Sequence, residues 1–139
     1  MCDQNDIDLI YLNYCSTIAN SFSDDPKTKV GAMIVGVNND CVYGFNCFPK
    51  PVKQTKEKWE RPTKYEYVVH AEINALMRCE FDTDGATLYC THKPCHRCLG
   101  HILHAKIKRV VYKYDYNTSK HQDIWDDIAQ YFDEIKQIS

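Results

Sequence analysis

The sequence has no surplus of charge, no long hydrophobic run, no internal repeat and no low-complexity tract. Its 17 Lys and Arg nearly balance its 19 Asp and Glu, leaving a net charge of −2. The pI is about 6.3, so nothing draws the whole chain toward nucleic acid or acidic lipid. The longest apolar stretch, Val30 to Val37, is far too short to span a bilayer. The opening Met1-Cys2-Asp3 leads into acids rather than an apolar core, so no secretory signal is expected. A composition 44% hydrophobic and 26% charged excludes disorder, collagen-like repeats and coiled coil. At 139 residues the chain suits one domain, 1–139.

What the sequence does have is eight cysteines. A disulfide framework belongs to secreted mini-proteins that cannot build a core. A chain of this size can build one, so clustered Cys and His point to metal or redox chemistry in a reducing, cytoplasmic compartment.

The periodicity places a helix over 5–22, with Ile7, Ile10, Tyr11, Tyr14, Ile18 and Phe22 recurring at three- and four-residue steps. Asp3 or Asn5 would cap it. Val30–Val37 and Cys41–Phe45 read as two strands of a hairpin turning at Asn38-Asn39-Asp40. Residues 46–66 hold Pro49, Pro51 and Pro62 and read as a long loop. It carries Lys50, Lys53, Lys56, Lys58, Arg61 and Lys64 against three glutamates, either a solvated basic surface or a flap facing phosphate. A helix over Val68–Cys79 would bury Ile73, Leu76 and Met77. Strands at Ala86–Thr91 and Lys108–Lys113 bracket a helix from Cys95 to His104. Ile124, Ile128, Phe132 and Ile135 mark a last helix, and the final five residues suit either its continuation or an edge strand. This order predicts an α/β fold, a sheet layered with helices.

His70-Ala71-Glu72 opens one of these helices and Pro94-Cys95-His96-Arg97-Cys98 another. Two thiolates and an imidazole supply three zinc ligands and leave a fourth position open, the pattern of a catalytic ion. Cys95 and Cys98 stand one helical turn apart, so both sulfurs reach one ion. Helix starts also favour thiolate. Glu72 is then a carboxylate beside the ion, placed to shuttle protons. This H-x-E…P-C-x-x-C arrangement is the signature of zinc nucleobase deaminases. A redox Cys-x-x-Cys leaves His70 and Glu72 unexplained. A structural site would need a fourth ligand from His92, His96 or Cys90. The other cysteines, Cys2, Cys15, Cys41, Cys47, Cys79 and Cys90, read as buried or half-buried thiols. A second metal built from some of them with His92 or His121 is the remaining alternative.

From Ser23 to Ile128 the sequence resembles the deoxycytidylate (dCMP) deaminases. The likeness rests on Ser23-x-Asp25-Pro26, Val30-Gly31-Ala32 and Asn46-x-Phe48-Pro49, then on Lys64-Tyr65-x-Tyr67-Val68-Val69-His70-Ala71-Glu72-Ile73-Asn74-Ala75. It continues through Gly85-Ala86-Thr87-Leu88-Tyr89, Pro94-Cys95-x-x-Cys98 and Val110-Val111-Tyr112. The resemblance implies a single-domain, cytidine-deaminase-like three-layer fold with a mixed central sheet flanked by helices, assembled as a hexamer. It implies one catalytic Zn2+ on His70, Cys95 and Cys98, with Glu72 as proton shuttle. Asn46 would contact the deoxyribose and the Ala71 backbone the pyrimidine, with Tyr116 and Lys29 as further nucleotide contacts. The implied reaction is hydrolysis of dCMP to dUMP and ammonia, which feeds dTTP synthesis. The lysine-rich loop extends the expectation to dCTP, which would bring Mg2+ with it. Many members take dCTP and dTTP as effectors near a loop that here comprises Gly44, Cys47 and Pro49. Cys47 departs from that loop's pattern, standing where the family carries a glycine whose role would be close approach or a positive φ. Two other classes compete. One is an editor of RNA or single-stranded DNA, for which the basic loop speaks and the near-neutral pI does not. The other is an inactive zinc-stabilised module, which would have no use for Glu72.

Overall fold

In the computed structural model, which describes residues 3–115 and 120–138, the first element is α1 (Gln4–Phe22). Asp3 caps it, accepting from the Asp6 N–H at 2.9 Å while the Asp6 carboxylate accepts from Asp3 N–H. The strands β1 (Gly31–Val35) and β2 (Cys41–Phe45) form the expected hairpin. Asn39 turns it with φ 68°, a left-handed conformation that asparagine tolerates. A four-residue helix α2 (Lys64–Tyr67) precedes α3 (Ala71–Arg78). The remainder runs β3 (Thr87–His92), α4 (His96–His104), β4 (Arg109–Tyr114), α5 (Gln122–Ala129) and β5 (Glu134–Gln137).

The strands form one mixed sheet in the order β2-β1-β3-β4-β5. β1 is antiparallel to β2 and β3, while β3, β4 and β5 run parallel. Side chains alternate between two cores, as the two-residue strand period requires. Ile34, Leu88, Cys90 and Val110 face α3 and α4, where Ala71, Ala75, Leu99 and Ile102 meet them. Tyr89 and Val111 face the opposite way, onto Leu12 and Cys15 of α1. The three-layer α/β fold expected from the sequence is therefore present. No helix among the described residues is long and apolar enough to cross a membrane.

Three local expectations need correction. α1 buries Asp8, Leu12, Cys15 and Ala19, while Ile7, Ile10, Tyr14 and Phe22 stay exposed. At Cys15 and Ala19 the buried face is small because the helix lies hard on the sheet there: a Cβ on Gly31 would come within 2.1 Å of the Cys15 carbonyl oxygen. Asp8 enters the interior because Arg109, Tyr89, Lys136 and Gln4 all bond its carboxylate. The helix expected over Val68–Cys79 is α3 and starts at Ala71 rather than Val68, because Val69 is held extended by a two-bond bridge to Cys47. It buries Ala71, Glu72 and Ala75 instead of Met77, which is exposed. The last helix stops at Ala129, so Phe132 lies beyond it and Ile135 falls in the edge strand β5.

Candidate metal centre and cavity

His70 is the N-cap residue of α3 and Cys95 that of α4, with Cys98 on the first turn of α4. Both helices begin beside β3, and this brings the two sequence-distant motifs together. The ligand-capable atoms of His70, Cys95 and Cys98 all lie within 4.8 Å of one another. His70 Nδ1 is 3.2 Å from Cys98 Sγ and 3.8 Å from Cys95 Sγ. Cys98 is buried, while Cys95 and His70 are half-buried. Among the described residues this is the one group of three or more Cys, His, Asp or Glu side chains close enough to share a metal. Cys90 lies buried under the sheet face, and the His96 ring sits against His121 at 4.4 Å. The redox-pair reading has no account of an imidazole nitrogen within 3.8 Å of both sulfurs.

The electrostatics fit a cation. The Cys95 thiol is held down to about 3, first by the Cys98 thiol and, against the effect of burial, by His70. Cys98 is pushed up, by Cys95 and then by burial. Two thiolates side by side repel, and a divalent ion removes that conflict by stabilising both. Soft sulfur with imidazole in a three-ligand set fits zinc. Glu72 is 4% exposed, and burial pushes its carboxyl up while His70 draws it back. Burial therefore favours the protonated form of this carboxyl more than exposure to water would.

Glu72, His70 and Cys95 line a cavity of about 220 Å³. Its wall also includes Asp25, Asn46, Arg61, Lys64 and Lys93. The Ala71 N–H lies in the first turn of α3, where backbone donors have no acceptor within the helix. A family model described as the cytidine and deoxycytidylate deaminase zinc-binding region matches residues 6–114. The chain belongs to this family. Within it, the chain is 37% identical over 93 residues to an uncharacterized deaminase of the luxG 3′ region from Aliivibrio fischeri, covering 67% of this chain and 63% of that protein. It is 38% identical over 101 residues to the human deoxycytidylate deaminase, covering 67% of this chain and 57% of the relative. It thus spans less than two thirds of the length of these curated relatives. Among solved structures, the dCMP deaminase of cyanophage S-TIM5, in complex with dCMP and dUMP, superposes with a TM-score of 0.78. That match has 25% identity and covers 99% of this chain and 100% of the phage enzyme.

The other residues named from the sequence fall in different places on this deaminase fold. Asn46 is buried and lines the cavity. Its Oδ1 accepts from the Val30 N–H at 2.9 Å and from the Ser23 hydroxyl, and its Nδ2 donates to the Thr28 carbonyl at 2.8 Å. Lys29 is not among the cavity-lining residues, and its ammonium is bound to the Ser23 and Asp25 carbonyls at 3.1 and 2.9 Å. Tyr116 lies outside the described residues. Cys47 is not among the described positive-φ residues, and its backbone pairs with Val69. Gly44 sits under α3, so its lack of a side chain serves packing. Pro49 follows Phe48, whose ring packs tilted against Trp59 at 4.2 Å and stacks on Tyr67 at 5.3 Å, pinning the basic loop. Of the remaining cysteines, Cys15, Cys47 and Cys90 are buried and Cys79 is half-buried. Cys41 is exposed, against expectation, and Cys2 lies outside the described residues.

Sequence reasoning missed the pairing of Asp25 with Lys64. Their charges meet at 2.7 Å, both nearly buried, and Asp25 also accepts from the Lys27 and Thr28 N–H groups. Nothing in the local pattern signals two opposite charges meeting across 39 positions. The pair ties the loop before β1 to α2, immediately before the His70 segment.

Proposed function

We propose that the protein hydrolyses a deoxycytidine nucleotide, converting dCMP and water to dUMP and ammonia. The observation that carries the reading is Glu72 buried in the wall of the cavity that His70 and Cys95, two members of the His-Cys-Cys set, also line. His70, Cys95 and Cys98 would hold Zn2+, which supplies the Lewis acidity that makes water nucleophilic near neutral pH. Glu72 would pass on water's two protons in turn, the first to N3 of the pyrimidine, where it stays, and the second to the departing amino group. Ammonia leaves poorly unless it is protonated as it goes, so a carboxyl that exchanges protons readily is needed here. The Ala71 N–H would orient the pyrimidine, and Asn46 would meet the deoxyribose.

The relatives named as deoxycytidylate deaminases and the phage enzyme's complex with dCMP and dUMP support dCMP as substrate. The test is a panel of cytidine, dCMP, dCTP with Mg2+, RNA and single-stranded DNA, read as ammonia release alongside zinc analysis. Turnover of dCMP is expected, with zinc near one per chain. Uracil or inosine formed only in polynucleotide, with free nucleotides inert, would replace this reading with an editing one. The same panel tells whether dCTP is consumed or only changes the dCMP rate. The exposed Ile7, Ile10, Tyr14 and Phe22 on α1 support a homo-oligomer, for which sedimentation analysis is the check.

A further inference from the structure

The cations on the cavity wall are not equivalent. Lys64 is spent on Asp25 at 2.7 Å, both nearly buried. Lys93 pairs with Asp115 at 3.6 Å and lies 4.3 Å over the Trp125 ring. Arg61 contrasts with both. It lines the same cavity, is exposed, and its guanidinium donates to the neutral Thr28 hydroxyl at 3.3 Å. Among the described residues it has no acidic partner. A guanidinium keeps its charge at any working pH and presents a fork of donors that fits two phosphate oxygens at once.

Thr28 gives this arginine a position. Its hydroxyl takes the Arg61 bond, while its carbonyl takes the Asn46 amide at 2.8 Å. One residue therefore links the arginine to the side chain expected at the sugar. Base, sugar and phosphate follow one another in a nucleotide, and Ala71, Asn46 and Arg61 all line the same cavity, the last two joined through Thr28. The tilted ring contact of Phe48 with Trp59 anchors the loop two residues before Arg61. The exposed lysines Lys50, Lys53 and Lys56 of the same loop are not among the cavity-lining residues.

We infer that Arg61, positioned by Thr28, receives the substrate's phosphate and makes the site prefer a nucleotide over a nucleoside. The inference rests on the nucleotide reading above and assigns its phosphate end. Of the basic loop, one residue then faces phosphate, while the outlying lysines are solvated surface.

The experiment measures affinity for dUMP and for deoxyuridine in zinc-loaded wild-type protein, Arg61→Ala, Arg61→Lys and Lys56→Ala. Wild type should favour dUMP, and Arg61→Ala should cut that preference about 10- to 100-fold, the effect of losing a charged hydrogen bond. Arg61→Lys keeps the charge without the fork and should recover part of it. Lys56→Ala should keep the wild-type preference. An unchanged preference in Arg61→Ala, or an equal loss in Lys56→Ala, overturns the inference, as does wild type that does not distinguish the two ligands. The broader reading fails separately: wild type that favours dUMP yet releases no ammonia from dCMP refutes deamination and leaves the Arg61 comparison intact. Thermal unfolding of each variant shows whether a lost preference is merely lost fold.

Discussion

Gly44 of the edge strand lies directly under Ala71, the first residue of the helix that carries His70 and Glu72. A Cβ at position 44 would stand 2.4 Å from the Ala71 carbonyl oxygen and 2.4 Å from the Ala75 N. Both are backbone atoms, so no side-chain rotation relieves the clash. Gly44→Ala is expected to lift α3 off the sheet, costing about 1–3 kcal/mol as overpacked cores do, and to weaken zinc retention with it. Gly100→Ala is the control, because its Cβ would meet only the Ile128 side chain at 3.7 Å. It should stabilise by up to about 1 kcal/mol through helix propensity. Urea unfolding and zinc content measured on both variants check the contrast. Equal stabilities would show that the close approach does not matter.

Glu72 is the sharpest test of chemistry as distinct from metal binding. Glu72→Gln keeps the shape of the side chain and removes its proton-accepting oxygen, while His70, Cys95 and Cys98 are untouched. Zinc should stay near one per chain, and turnover of dCMP should fall about 100- to 10,000-fold, the usual contribution of a general acid–base group. Full turnover with zinc bound would remove Glu72 from the proton path.

Removing the metal should also act on stability. Cys95 caps α4, Cys98 sits on its first turn and His70 caps α3, so an ion held by the three would clamp α3 to α4. Dialysis against a strong chelator should abolish ammonia release and lower the melting temperature, and Zn2+ should restore both. Cys98→Ser should match the chelated protein in both respects. A chelated protein with unchanged melting temperature would mean that the ion contributes to chemistry without clamping the fold.

The clustering of His70, Cys95 and Cys98 near Glu72 was legible because the motifs are local: His70-x-Glu72 and Cys95-x-x-Cys98 each fit within one helical turn. Strands β1, β2 and β4 were legible for the same reason, being short runs rich in Val, Ile and aromatic residues. Long-range compensation was not legible. The stripe of Ile and Tyr on α1 reads as its buried face only if Asp8 cannot be inside. Arg109, 101 positions away, is what brings it in. The start of α3 was misplaced because Val68 and Val69 suit a helix as well as a bridge, and the deciding partner is Cys47. Likewise Lys64 reads as one more loop cation until Asp25 is found beside it.

Those two buried aspartates set the last expectation, resistance to acid. Burial alone would raise the Asp8 carboxyl, but the bonds from Arg109, Tyr89, Gln4 and Lys136 hold it well below its usual 3.8. Asp25 is likewise raised by burial and lowered further by Lys64 and the Lys27 and Thr28 N–H groups, ending below 3.8. A carboxylate with a depressed folded pKa leaves the unfolded chain binding more protons near that pH, so stability rises with pH there. The contribution is complete above the unfolded value and drains away as pH falls through the folded one. Wild type should therefore lose urea resistance mainly below about pH 4. Asp8→Asn should be less stable at neutral pH by about 3 kcal/mol or more, since it leaves Arg109 with its charge half-buried and only Glu134 as an acidic partner. Its stability should also fall less steeply between about pH 5 and pH 2, because one of the two titrating groups is gone. Urea midpoints for both proteins across that range decide the matter, and parallel curves would mean that Asp8 does not titrate with unfolding.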